Sequence, residues 1–395
     1  MTDTVGSFMA EWGLDLTLLD RTGTVLLKSH LNDWLVGYGH ETGAYGGFLS
    51  ATINLATTIT EAEWWFDHAL GTRVLLTCDA GREVWSGFVN TVTIKCGDQT
   101  ERRGPLMDVV NKTYSTFTPL DWSVFPPVRG NEQETAEAND TASQALYGIL
   151  QKILTSSQTD EATALEGRDV YLKEGAYPKQ SGDISLSGAA PASISIDCLG
   201  MIYWLLAYIY TNRNAGSVDL RTKITAILAA DPNGYISTDY SKCAANAYTV
   251  GTTEVQRRFA GDIIKALTAL GFTPSGTRAL FGIWENAQAV YQQIPSTIAY
   301  EHFLSWQSRS IRYYDRGAVV PPWLVRAGNW LIVPDFMIRL PVSGTAYLNT
   351  DVRTKFLESV RYTAPLSLDL SGGKTDRLSS LLARLTYSGG VSGGG

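Results

Sequence analysis

The stretch Glu83 to Lys95, EVWSGFVNTVTIK, decides the fold class. In an extended chain it sets Phe88, Asn90, Val92 and Ile94 against Val89, Thr91, Thr93 and Lys95. β-branched and aromatic residues at period two suit a half-buried pleated surface. Upstream, Phe48 to Ala56, FLSATINLA, alternates in the same way, with Phe48, Ser50, Thr52 and Asn54 opposed to Leu49, Ala51, Ile53 and Leu55. Arg73 to Thr77 is a short apolar strand, followed by turn chemistry at Asp79-Ala80-Gly81. Gly97-Asp98 turns the chain again, and Arg102 to Val110 and Thr113 to Thr118 read as returning strands. Between the early strands, Glu61 to Leu70, EAEWWFDHAL, is one or two turns of helix. Short strands joined by tight turns predict a small barrel or sandwich over residues 1–120.

Composition shifts after that. Pro119, Pro126, Pro127 and Gly130 mark a linker, and Asn131 to Asp140 is polar. Ala142, Ala145, Leu146, Ile149, Leu150 and Ile153 form a helical stripe behind the capping pair Asn139-Asp140. Thr155 to Gly188 is polar and reads as irregular. Ser193 to Asp197 is a strand leading into an apolar run, Cys198 to Tyr210, read as a buried helix. That run is shorter than the roughly 18 to 20 residues needed to span a bilayer, so no membrane insertion is expected. Leu220 to Ala230 and Val255 to Leu270 are further helices, the second capped by Gly271. The chain then returns to β structure: a hairpin pair over Arg278 to Tyr291, then Trp330 to Leu340, Phe356 to Ala364 and Leu366 to Leu370. Asp376 to Leu385 reads as a short helix, and Ser388 to Gly395 as a flexible Gly/Ser tail. The predicted class is α+β, with a helical middle region and linker over 121–275, a second β-rich domain over 276–386 and the tail over 387–395.

Bulk properties narrow the function classes. The 395-residue chain is 44% hydrophobic and 18% charged, which fits a packed globular protein of more than one domain. Its net charge of −7 opposes wrapping nucleic acid, though not lining a passage that nucleic acid slides through. The 11 Trp, 19 Tyr and 12 Phe offer more aromatic surface than one interior needs, which points to subunit interfaces. Met1 to Leu16 has no signal-peptide pattern, so a soluble protein outside the usual export route is expected. Cys78, Cys96, Cys198 and Cys243 are far apart, without a CxxC pair, and read as buried thiols.

Chemistry-bearing motifs are weak. His30, His40, His68 and His302 have no metal-ligand spacing, so no metal or cofactor is expected. Gly390-Val391-Ser392-Gly393-Gly394 matches a nucleophile elbow in letters only, since it lies in the glycine tail. Gly373-Lys374-Thr375 resembles the end of a P-loop, but Leu368 stands where the first glycine belongs. Asp231-Pro232-Asn233-Gly234 reads as a turn and not a calcium loop, and the sequons at Asn111 and Asn139 carry no meaning without secretion. The best enzymatic candidate is Glu61, Glu63 and Asp67 beside Trp64-Trp65, because glycan cleavage uses carboxylates near aromatic platforms. At helical spacing Glu63 and Asp67 share a solvent face while Trp65 and Phe66 pack inward, so no catalytic residue is assigned and a non-enzymatic protein is expected.

The order of these signals carries a family resemblance. Gly46-Gly47-Phe48 opens a strand, a helical turn follows, and Leu70-Gly71-Thr72-Arg73-Val74 starts another. Trp85-Ser86-Gly87-Phe88-Val89 then runs into Val92, and Gly104-Pro105-Leu106-Met107-Asp108 closes the unit. This resembles the first barrel of bacteriophage tail hub and tip proteins. Phe356 to Leu370 with Ser371-Gly372-Gly373 resembles the closing strands of a second such barrel, and Asp197-Cys198-Leu199-Gly200 with the following segment resembles the middle of phage tail proteins. The resemblance implies two tube-like β-barrel domains flanking the helical middle, and a homotrimeric ring whose six barrels continue a six-fold tube. It also implies contacts with tube, distal tail, tip or fibre proteins, with viral DNA passing through the channel without specific binding. The implied location is the virion tail, assembled in the host bacterial cytoplasm, with no catalytic residues. Alternatives are a six-fold distal tail or tube terminator protein, and a tail-associated cell-wall glycan hydrolase or binding protein.

Overall fold

The computed structural model describes residues 14–30, 34–78, 81–184, 190–212, 216–246, 248–251, 258–273, 277–304, 309–313, 319–334, 352–363 and 367–371. The chain is α+β, mostly antiparallel strands with few helices. In chain order the first elements are β1 (Leu14–Leu19), β2 (Val25–His30), β3 (Leu35–Gly43), β4 (Gly46–Thr58), helix α1 (Ile59–His68), β5 (Arg73–Cys78), β6 (Glu83–Cys96), β7 (Gln99–Arg103) and β8 (Lys112–Phe117). Then come α2 (Thr141–Tyr147), β9 (Gln151–Thr155), α3 (Glu161–Gly175), β10 (Gln180–Gly182), β11 (Pro191–Gly200), α4 (Leu220–Ala229) and α5 (Ala260–Ala269). The hairpin β12 (Ala279–Ile283) and β13 (Ala289–Gln293) follows as the sequence predicts, and β14 (Ser359–Thr363) and β15 (Ser367–Ser371) come last.

Thirteen of these strands form one sheet, with the path β2-β1-β5-β6-β11-β4-β3-β14-β15 and with β7, β10, β12 and β13 attached to it. Its two end strands do not pair with each other, so the sheet is open, and the described residues contain no closed barrel. This corrects the expected pair of tube-like barrels. The first 120 residues are not a self-contained unit either: β11 pairs antiparallel with β4 on one side and β6 on the other, so a strand from the middle of the chain sits at the centre of the sheet. Ala192, Ile194, Ile196 and Cys198 alternate into the core along it. At the far side β14 pairs with β3, so the sheet takes strands from all three expected segments. A second sheet gathers β8, β9 and two short strands. A third, five-stranded sheet contains Ile298–Leu304, Arg309–Tyr313, Val319–Val320, Trp330–Pro334 and Val352–Phe356.

α1 starts with a capping box: the Thr58 hydroxyl accepts from the Glu61 N–H, and the Glu61 carboxylate accepts from the Thr58 N–H. It packs on β6 and β11 and buries Ile59, Ala62, Trp65 and Phe66. The strict alternation expected for β4 is broken by one extra residue. Glu41 of β3 faces Ser50 and Thr42 faces Phe48, which leaves Leu49 as a bulge. Phe48 therefore joins Ala51, Ile53 and Leu55 in the core, and Leu49 turns to a half-buried position. Close backbone approach explains two glycines in this region. Gly47 has φ +81, and a Cβ there would collide with the Ile283 carbonyl; a Cβ at Gly87 would collide with the Leu199 carbonyl.

Several predicted helices are shorter than their patterns. The stripe from Ala142 to Ile153 is helical only to Tyr147, because Gly148 adopts φ +84 and the chain continues as β9, parallel to β8. The buried Asn111 side chain fixes that break. It donates to the Gly148 carbonyl at 2.6 Å and accepts from the Leu150 N–H at 2.8 Å. The apolar run from Cys198 is not an α-helix: it finishes β11, makes a 3-10 turn over Met201–Leu206 and reaches a short strand at Ile209–Tyr210. The polar segment after Thr155 contains α3, capped by Asp160. Ala164 is the one buried residue of α3, so no apolar stripe announces it. The stretch from Arg102 is a strand only to Arg103, followed by a 3-10 turn at Leu106–Asp108. Asp376 to Leu385, the glycine tail and Gly373-Lys374-Thr375 lie outside the described residues.

Candidate functional site

Three surface features stand out among the described residues. The first is edge strand β2, which among the described residues pairs only with β1 and leaves Val25 and Leu26 exposed in solvent. An edge offers a row of free backbone donors and acceptors, and apolar side chains on it favour pairing with another chain.

The second is a hairpin at the predicted linker. Leu120–Asp121 pairs with Val128–Arg129, and the Gly130 N–H donates to the Pro119 carbonyl at 2.8 Å. The Asp121 carboxylate accepts from the Ser123 N–H at 2.9 Å and from its hydroxyl, which sets the turn and lowers the Asp121 pKa. The tip carries Trp122, 76% exposed, and Phe125, 96% exposed, with Val124 and Val128 also in water.

The third is an apolar groove of about 780 Å³. Tyr45, Leu49, Ile202, Leu206, Leu270 and Phe281 supply much of its wall. The β4 bulge places Leu49 there, and Tyr45, Leu206 and Leu270 are each more than a third exposed. Lys265 and Arg278 also line it.

The residues singled out in the sequence do not converge. Glu63 and Asp67 stand exposed on α1, with Asp67 at 3.8 Å from Arg103, while Glu61 is held in the capping box. His68 Nδ1 bonds the Trp64 carbonyl at 2.9 Å and its ring stacks on Trp64. His30 pairs with Asp15 at 2.7 Å. His40 is buried, with Nδ1 on the Tyr38 hydroxyl at 2.9 Å, and burial lowers its pKa to about 3. The His302 side chain and Gly390 to Gly394 lie outside the described residues. Asp231 accepts backbone N–H bonds from Asn233 and Tyr235, each at 2.9 Å, as a turn residue does. Asn111 is fully buried, Asn139 ends a short strand, and all four cysteines are buried. Among the described residues no group of three or more His, Cys, Asp or Glu side chains could hold a metal ion. No helix among them is long and apolar enough to cross a membrane.

Sequence reasoning missed one polar cleft, of about 480 Å³, lined by Glu83, Glu285, Asn286 and Arg326. Burial raises the Glu83 pKa, and its carboxylate accepts from the Asn286 N–H at 2.9 Å. Arg326 lies 3.4 Å from the Glu285 carboxylate. Asn286 and Ala287 both take positive φ, a rare conformation for non-glycine residues. These partners are some 200 to 240 positions from Glu83. No local spacing signals such a site.

No family model and no curated protein matches the chain. Among solved structures it is similar to the 43 kDa tail protein of prophage MuSo2 from Shewanella oneidensis. The TM-score is 0.35 and the identity 10%, over 89% of this chain and 93% of that one. It is also similar to the tail protein from Neisseria meningitidis MC58, with TM-score 0.37 and 7% identity over 89% and 92% of the two chains. Likeness at that level is too slight to assign a role.

Proposed function

We propose that this chain is a structural, non-enzymatic subunit of a bacteriophage tail, placed at the hub or tip where the tail tube ends. The observation that carries this reading is the open thirteen-stranded sheet with an exposed apolar edge at β2. In water such an edge is a liability, and in a ring it becomes the seam. A homotrimer of these sheets would continue the tube, guide assembly with neighbouring tail proteins and let viral DNA pass without specific contacts. The net charge of −7 suits such a channel, since an acidic wall does not hold phosphates. The protein would assemble in the host cytoplasm and end in the virion tail. Negative-stain imaging of the purified full chain tests the reading. A three-fold ring with a central hole supports it, and a six-fold ring indicates a distal tail or terminator protein.

A second reading, a cell-wall glycan hydrolase, is favoured by the cleft at Glu83 and Glu285. Burial raises the Glu83 pKa, and the Glu285 carboxylate lines the same cleft, so two carboxyl groups of the type glycoside hydrolysis uses share one site. Release of sugar fragments from purified peptidoglycan, lost in Glu83→Gln, would establish it. No release would remove it.

A further inference from the structure

We propose that the hairpin tip at Trp122 and Phe125 seats in the apolar groove bounded by Tyr45, Leu206 and Leu270 of a second copy of this chain. The proposal rests on the assembly reading and names a contact that would act in the ring beside the β2 seam.

The chain leaves two apolar features in water that complement each other in shape. One is convex: a turn fixed by Asp121 and Ser123, presenting Trp122 and the almost fully exposed Phe125. The other is concave: about 780 Å³, walled largely by aliphatic and aromatic side chains. The two share no residue, so the contact joins different patches of two copies, and repeated head-to-tail it makes a ring where its rotation closes. The turn is tied down by its own hydrogen bonds, so little ordering cost falls on binding. Charge agrees with apolar shape. Asp121, Glu132 and Glu134 outnumber Arg129 around the tip in sequence, and Lys265 and Arg278 outnumber Asp262 in the groove lining.

The area defines what the contact can do. Two aromatic rings bury about 150–250 Å² each, so the tip supplies roughly 300–500 Å² per partner. A stable pair needs about 800 Å² per partner. The hairpin is therefore an anchor within a larger interface, and loss of Phe125 should weaken association by about tenfold or more without unfolding the chain.

Cross-linking in mixed copies tests this, because all four native cysteines are buried and an engineered thiol at either site is exposed. Val124→Cys, which keeps Trp122 and Phe125, and Leu270→Cys are made in separate full-length chains and treated with a short bismaleimide. The expected result is a linked pair in the mixture and none in either variant alone, with association weakened equally by Phe125→Ser and Leu206→Glu. If the unmodified chain forms a ring while the mixture stays unlinked and both variants associate normally, this contact is wrong and the assembly reading stands. Linking of Val124→Cys with itself would replace the groove with a tip-to-tip contact and overturn the proposal. So would protection of that thiol by phosphatidylglycerol vesicles in place of the second copy. If the unmodified chain forms no ring at all, the assembly reading fails with it.

Discussion

Arg326 Nη2 donates to the Glu83 carbonyl at 2.9 Å, tying the late part of the chain to the start of β6 across 243 residues. The same guanidinium lies 4.9 Å from the centre of the Phe48 ring, in the core beside the β4 bulge. One side chain thus joins three parts of the fold that are distant in sequence. A planar fork can stack and donate in several directions at once, and an ammonium cannot. Arg326→Lys and Arg326→Met should both lower unfolding stability by roughly 2–4 kcal/mol. Urea titration followed by tryptophan fluorescence checks this, and an unchanged midpoint for the lysine variant would reject the stacking role.

Asn111 ends the α2 pattern at Gly148 and starts β9. Its amide also reaches the Ser143 hydroxyl at 3.2 Å. Removing it leaves the Gly148 carbonyl and Leu150 N–H buried without partners. Asn111→Ala should cost roughly 2–4 kcal/mol, measured as a shift in the denaturation midpoint at unchanged slope.

His40 makes stability depend on pH. Burial, with the nearby Arg326 charge adding to it, holds its folded pKa near 3, below the ordinary 6.5. The folded chain therefore refuses a proton that the unfolded chain accepts. This contribution is complete above about pH 6.5 and is lost progressively as pH falls toward 3. His40→Asn should lose less stability than the parent chain between about pH 7 and pH 4. Equal acid losses in both proteins would place the effect elsewhere.

Glu63 and Asp67 occupy the solvent face of α1. Glu63→Gln and Asp67→Asn should each change stability by less than about 0.5 kcal/mol. Neither should alter sugar release from peptidoglycan, and a loss confined to these variants would reopen the aromatic carboxylate site as an enzyme.

Leu26 projects from edge strand β2 into water. A charge on an edge strand blocks pairing with another chain while leaving the monomer intact. Leu26→Lys should keep the parent's melting temperature and lose its oligomer, as sedimentation would show. A ring that survives the substitution would move the seam away from β2.

Much of the β structure was legible in the sequence because alternation is local. Glu83 to Lys95, Phe48 to Ala56 and the Ala279 to Gln293 hairpin are strands, and α1 packs Trp65 and Phe66 inward while exposing Glu63 and Asp67. The sheet order was not legible. Nothing near Ser193 signals that β11 lies between β4 and β6, since strand partners are chosen by distant surfaces. Single residues defeated the periodic reading elsewhere. Leu49 bulges out of β4, Gly148 stops a helical stripe, and α3 has almost no buried face to reveal it. The surfaces proposed for assembly were hidden for a similar reason. A run rich in Pro and Gly reads as linker, and only its pairing at Leu120–Asp121 turns Trp122 and Phe125 into a presented tip.

The most direct test of the assembly role is the mass of the purified full-length chain by light scattering over a wide concentration range. A ring subunit predicts a species near three times 43.1 kDa that persists on dilution until the seam opens. A mass fixed at 43.1 kDa from micromolar to near-millimolar protein would contradict it.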